Sequence, residues 1–415
     1  MAPGSAAQES VLLRTAFWLA AASAVSVLFS IAASQILLAL ATAALLLSPG
    51  QLRLPPLRLP LALFFAATLV SLALSGDVAA GRPQIRKFFV FLMLPVVYST
   101  FRRTAQARAL VLVWTGAAAV AALRGLAQFS EKLTQARLAG VNFYEYYVAE
   151  RISGFMSHWM TFSGQLMIVL LLAAAFLLFS PSARRGLLVY AALCAAAIAG
   201  ALLLGFTRSI WLAAAGALGF LLWRWRRWAA AAMPALLLVG ILAAPASVRT
   251  RFVSMFRPRQ DVDSNQHRIV CWRTGWRMIQ THPWFGLGPE QVRLQFARWV
   301  PRDIPGPLPA GWYGHLHSIY VHYAAERGVP AMLALVWLLA KMLWDFLAAV
   351  RKLPPGPGEE KFLLHGGIAV VMAILIEGIF ELNLGDSEVL ALFLAAVAAV
   401  YAARDRVLAP EAGLA

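Results

Sequence analysis

The stretch best equipped for chemistry is Gly314-His315-Leu316-His317-Ser318, with nine residues between Ser318 and Gly328. It closes a long polar, arginine-rich segment and leads straight into an apolar run. Imidazole titrates near neutral pH and can accept a proton from a hydroxyl, so His317 reads as a candidate general base. A histidine merely bonded to a carbonyl is the plainer alternative. His315, His317 and His322 match no zinc spacing and have few acidic neighbours, so no metal site is expected.

Two arginines stand out beside this histidine. Arg208 lies in Gly205-Phe206-Thr207-Arg208-Ser209, where an apolar run begins. It either snorkels to a headgroup phosphate or presents a fixed guanidinium to a phosphate-bearing ligand. The second role suits arginine, whose planar fork offers several donors and keeps its charge. Arg268 falls early in an amphipathic stretch and reads either as a solvated helix face or as a second such donor. Arg151 and the Arg86-Lys87 pair are weaker candidates of the same kind. Glu377 and Glu381, four apart, should share a helix face and pair with a loop arginine, because buried acids without partners are costly. There is no nucleotide-binding glycine loop and no Ser/His/Asp set. A nucleotide-sugar donor with a metal ion is therefore disfavoured.

The elements that must hold these residues are membrane helices. Of 415 residues, 61% are hydrophobic and only 13% charged, a balance unsuited to a soluble domain. A bilayer core takes roughly 20 apolar residues per helix. Twelve candidate stretches recur, at about 11–29, 31–48, 59–75, 87–100, 108–128, 161–180, 186–204, 207–223, 228–245, 328–350, 362–382 and 386–403. The fourth and eighth are short. Continuous Leu, Ala and Phe runs, without strand-like alternation, predict helices. The fold class expected is an all-α polytopic membrane protein of about twelve spans, a single transmembrane domain over 1–415.

Charge supports the same topology. The net charge of +17 would suit nucleic acid, but its distribution does not. Arg53 and Arg58, Arg102, Arg103 and Arg108, Arg184 and Arg185, Arg224, Arg226 and Arg227, Arg351, Lys352 and Lys361, Arg404 and Arg406 all fall in alternate short connectors. The positive-inside rule makes those connectors, and both termini, cytoplasmic. Two longer connectors then lie outside: a smaller loop over 129–160 and a large loop over 246–327 between the ninth and tenth spans. From Ala246 to His317 the large loop carries ten arginines, no lysine and four acids, an outward excess that points to an anionic ligand. Within it, Ser264 to Thr281 predicts an amphipathic helix placing Arg268, Trp272 and either Gly275 or Trp276 on one face. The His282-Pro283-Trp284-Phe285-Gly286-Leu287-Gly288 run ends that helix, and Pro354–Gly358 reads as a cytoplasmic linker. The first apolar stretch lacks a cleavage site followed by a soluble domain and reads as a retained span. Cys194 and Cys271 are not expected to pair.

Taken together, Thr207-Arg208-Ser209, Arg268 with Trp272, the Pro283–Gly288 turn and His317-Ser318 with Gly328 resemble the O-antigen ligase family. Ala331 departs from the Gly, Thr or Tyr usual three residues after that glycine. The resemblance in topology covers nearly the whole chain, whereas the motifs occupy about 205–330. It implies a Gram-negative inner-membrane glycosyltransferase with its active site facing the periplasm. Such an enzyme moves O-antigen polysaccharide from undecaprenyl pyrophosphate to the lipid A-core oligosaccharide, with no cofactor and no nucleic-acid partner. The family's functional residues fall here on Arg208, Arg268 and His317. Arg151, Arg86, Lys87, His315 and Tyr313 are further candidates for the pyrophosphate or glycan, with Glu377 and Glu381 in support. The donor carries its own leaving group, so direct displacement would invert the anomeric centre. An O-antigen polymerase of the same superfamily is the nearest alternative. A lipid or polysaccharide flippase is the alternative from another class, although transporters place charge near mid-membrane and this chain places it at span ends.

Overall fold

The computed structural model describes residues 3–48, 51–180, 184–257, 265–353 and 358–408, and among these every regular element is helical. Ser264 and most of the 354–358 linker lie outside the described residues. Among the described residues, five helices are long and apolar enough to cross a membrane: Thr104–Leu138, Trp159–Phe179, Arg185–Leu204, Val329–Val350 and Ser387–Leu408. Twelve were expected, and the shortfall has physical causes. Ile31–Leu46, Arg58–Leu74 and Arg227–Ala243 are apolar but shorter; sixteen residues at 1.5 Å each reach only about 24 Å of a roughly 30 Å core. The first helix, Pro3–Ser26, has 24 residues, and Val11–Ser26 is its apolar part. The 87–100 stretch is broken into a 3-10 turn, Lys87–Leu92, and a short helix, Met93–Thr100. Pro95 in the second piece has no N–H to donate. Glu359–Glu377 is long enough but carries acids at both ends.

Trp159–Phe179 and Ser387–Leu408 are buried over most of their length, so they form the centre about which the other helices pack. Their apolar residues run all round the helix, as burial on every side demands. Small residues let the backbones close up: a Cβ at Gly367 would fall 2.7 Å from Val400.

Several arginine-bearing connectors meet at one end of this bundle. Arg108 pairs with Glu359, Thr104 Oγ1 donates to Glu360 at 2.8 Å, Arg53 lies 3.7 Å from Asp405, and Arg406 donates to the Arg102 carbonyl. Contacts at the other end join different connectors. Lys87 Nζ donates to the Gly385 carbonyl at 2.8 Å, and Thr161 Oγ1 to Asp386 at 2.6 Å. Thr104–Leu138, at 35 residues, runs on through the first part, 129–138, of what the sequence suggested as the smaller loop. Gln128 accepts from the Ser153 and Gly154 amides at 3.1 and 2.9 Å and holds down the segment leading from Arg151.

The large loop is a helical lobe: Ala246–Val253, Asn265–Thr281, Gln291–Trp299 and Ile319–Arg327. It has an apolar cluster of its own, including Val270, Cys271, Met278, Val292, Phe296 and Leu316. On the amphipathic helix, Gly275 is buried against Leu316 and Val321 while Trp276 is 60% exposed, which decides between them for the inner face. The Pro283–Gly288 turn docks on the end of Ile319–Arg327. Leu287 N and Gly288 N donate to the Ala325 and Glu326 carbonyls at 2.9 and 2.8 Å, and Val329 N donates to Pro283 O at 2.7 Å. Two carbonyls left open by the helix end are thereby satisfied.

Gly328 joins that end to the next helix at φ +89°, where any Cβ would collide with the Trp284 carbonyl. Gly328→Ala should therefore lower stability by about 2–3 kcal/mol. A fall of several degrees in apparent Tm, measured in detergent, checks this; an unchanged Tm would show that the close approach is not needed.

Candidate functional site

The His-Ser-x9-Gly spacing is one short helix with both of its caps. Ser318 is the N-cap, its hydroxyl accepting from Val321 N at 3.4 Å, and Gly328 is the C-cap of Ile319–Arg327. His317 precedes the cap in a left-handed conformation, φ +48°, rare for a residue with a Cβ and costly to hold. Its backbone is fixed on both sides. His317 N donates to His315 Nδ1 at 3.2 Å, and Trp272 Nε1 donates to the His317 carbonyl at 3.3 Å.

The imidazole is oriented by Glu381, whose Oε2 lies 3.0 Å from His317 Nδ1, while Oε1 pairs with Arg268. Glu381 stands in the connector beyond Glu359–Glu377, not inside the span. Burial opposes its ionisation, yet the Arg268 guanidinium and the hydrogen bond to His317 outweigh it and hold the carboxyl well below its ordinary range. An ionised Glu381 accepts the Nδ1 proton, leaving Nε2 as the basic nitrogen. Nε2 is buried and has no hydrogen-bond partner among the described residues. His315 and His267 flank the ring at centroid distances of 4.1 and 4.9 Å. Burial first, and then His317, push them down to about 3 and about 4, so both are neutral near pH 7.

Around this dyad lies a cavity of about 650 Å³ lined by Arg151, Arg208, Arg251 and Arg268. Arg208 begins the Arg208–Trp225 helix and is nearly buried. Its guanidinium donates to the Ser254 carbonyl at 2.7 Å and to Asn265 Oδ1 at 2.6 Å, bracing it between two parts of the lobe. Arg251 donates from Nε to Phe206 O at 2.9 Å. Arg151 lies over the Trp159 ring at 4.7 Å. Burial first, and then Arg251 and Arg268, lower its pKa to about 9, still charged at neutral pH. Several guanidiniums gathered in one cavity form a site suited to a polyanion.

Of the candidates named from sequence, Arg208, Arg268, His317, Arg151, Lys87, His315, Glu377 and Glu381 line this one cavity. Arg86 does not; it is exposed at the end of Val78–Arg86, and the next residue, Lys87, turns inward. Tyr313 does not either. Its hydroxyl donates to Pro309 O at 2.6 Å and its ring packs on Phe296 and His267 within the lobe. Glu377 meets no arginine among the described residues; its Oε2 accepts from Asn383 Nδ2 at 2.7 Å. Arg251, Asp386 and His267 were not picked out, and only folding brings them here. Two ligand sets share His317: His315, His317 and Glu381, and His267, Cys271 and His317, each with donor atoms within 4.8 Å of one another. By distance either could hold a metal, but the surrounding guanidiniums oppose a cation.

Residues 193–336 match the family model described as O-Antigen ligase. The resemblance read from sequence thus holds over the segment that contains Arg208, Arg251, Arg268, His317 and Gly328. No curated protein matches the chain significantly.

A second buried carboxylate has a pH consequence. Glu326 is fully buried; burial alone would raise its pKa, but His322, Arg327 and the Glu290 amide hold it at about 2, against 4.5 when free. A depressed acid stabilises the fold above its unfolded value and loses that contribution as pH falls through the folded one. Stability should therefore decline between pH 4.5 and about 2. Glu326→Gln should flatten that decline in apparent Tm at the cost of a lower plateau at pH 7, and an unaltered profile would count against the assignment.

Proposed function

We propose that this cavity is the active site of an O-antigen ligase, a membrane glycosyltransferase working at the periplasmic face of a Gram-negative inner membrane. In this reading both termini are cytoplasmic. The donor is O-antigen linked to undecaprenyl pyrophosphate, the acceptor is lipid A-core oligosaccharide, and the surrounding partners are membrane lipids. The observation that carries the reading is the chain Arg268–Glu381–His317 set beside Arg208, Arg251 and Arg151 in one cavity.

The chemistry follows from that arrangement. An acceptor hydroxyl loses its proton to His317 Nε2 while its oxygen attacks the anomeric carbon of the donor sugar. The bond from that carbon to the pyrophosphate oxygen breaks, and its electron pair leaves with the diphosphate. Positive character grows on the sugar and negative charge on the leaving group. Preorganised guanidiniums hold the departing charge more strongly as it accumulates, which favours the transition state over the bound donor. Glu381 keeps the imidazole in the basic tautomer and stabilises it once protonated, much as a carboxylate orients histidine in hydrolytic triads. One displacement from the opposite face inverts the anomeric centre.

Transfer by the purified chain from lipid-linked glycan to lipid A-core, without nucleotide or added metal, tests the function. His317→Ala should cut turnover by roughly 10²–10⁴-fold while donor binding persists. Arg268→Ala should weaken both binding and turnover. Full activity in His317→Ala would sink the assigned base. Product consisting only of lengthened lipid-linked glycan would reassign the enzyme as a polymerase, and translocated but untransferred glycan would reassign it as a flippase.

A further inference from the structure

The same cavity contains a second histidine–carboxylate pair that the reaction above leaves unused. His322 Nε2 lies 3.5 Å from Glu326 Oε1, one helical turn apart on Ile319–Arg327, and both residues line the cavity. His322 is only 5% exposed, and its Nδ1 has no hydrogen-bond partner among the described residues. Glu326, by contrast, is fully engaged: Arg327 Nε donates to it at 3.1 Å and Glu290 N at 2.8 Å. The carboxylate fixes the imidazole ring and accepts the Nε2 proton, leaving Nδ1 in want of a partner. Leaving such a buried atom unsatisfied costs free energy that a bound ligand group can recover.

The surroundings say what kind of group. This wall is built from Gln84, Glu290, Glu326 and His322, with Gln84 and Glu290 hydrogen-bonded to each other. The guanidiniums of Arg208 and Arg251 are braced instead against Ser254, Asn265 and Phe206. Glu290 is paired with Arg293 at 3.2 Å and Glu326 with Arg327 at 3.1 Å, so this wall has no excess positive charge to draw a diphosphate, which goes to the guanidiniums instead. A neutral hydroxyl needs no such charge. Because it both donates and accepts, it satisfies Nδ1 in either protonation state of the ring.

We infer that His322, held by Glu326, is a positioning residue that binds a sugar hydroxyl of the acceptor glycan beside the hydroxyl facing His317. This rests on the transferase reading for its substrate class. Its consequence is selectivity: a site built to hydrogen-bond a hydroxyl rejects an analogue that lacks it, because the buried group is then left unpaired.

The test uses the full chain in detergent or nanodiscs, with released core oligosaccharide and inorganic pyrophosphate as probes in separate calorimetric titrations. His322→Leu should weaken oligosaccharide binding about tenfold and leave pyrophosphate binding nearly unchanged, while Tm falls because Glu326 loses a partner. His322→Gln, which keeps a polar atom, should recover part of the loss. In the transfer assay the KM for lipid A-core should rise in His322→Leu while the KM for donor stays constant. Equal oligosaccharide affinity in wild type and His322→Leu would overturn the inference, as would a loss confined to the lipid-linked donor, which would place the hydroxyl on the other glycan. Absence of any transfer by wild type would refute the transferase reading instead, and the binding comparison would still decide the role of His322.

Discussion

A single buried carboxylate ties this molecule together. Glu381 belongs to the connector after Glu359–Glu377, yet both its oxygens are taken by the lobe: Arg268 from one lobe helix and His317 from the entry to another. Removing a carboxylate from water is expensive unless its partners are close and well aimed. The three groups are therefore obligatory to one another. The connector, the amphipathic helix and the short capped helix meet in one register or leave an uncompensated charge. The left-handed backbone of His317 is the local strain carried by that register, and the bonds from Trp272 and His315 help to keep it.

The arginines obey the opposite logic. Arg151, Arg208, Arg251 and Arg268 crowd one cavity, and burial first and then the charges of Arg251 and Arg268 lower the pKa of Arg151. They are retained because rigid hydrogen bonds to Ser254, Asn265, Phe206 and Val148 fix them in place. Such a cluster is costly without its anion and strongly attractive to one. Preorganisation of this kind is effective because little rearrangement is left to do when charge develops.

Much of this was legible in the residues themselves. Apolar runs located the helices, and the Ser318-to-Gly328 spacing is now explained by a helix with its two caps. The Pro283–Gly288 turn was visible as a terminator, although nothing in sequence showed that it would satisfy the open carbonyls of a helix some 40 residues later in the chain. Helix periodicity misled at Glu377 and Glu381: the helix ends between them, so the first turns to Asn383 and the second to the lobe. Arg86 and Lys87 are neighbours of like charge that differ only in which way the chain turns. Arg251 carried no signal beyond membership of an arginine-rich loop, since the contact that brings it to Phe206 spans 45 residues. Span number was the least legible quantity, because length, apolarity and breaks such as the one at Pro95 act together.

The continuous helix from Thr104 to Leu138 has 35 residues and so measures about 52 Å, against roughly 30 Å of hydrocarbon. It acts as a stiff mast rooted in the lipid, with Gln128 gripping the chain near Arg151 partway up. The elevation of that guanidinium above the hydrocarbon is thus set by a rod rather than by a loop. A thinner or thicker bilayer would shift the whole cationic chamber relative to the headgroups.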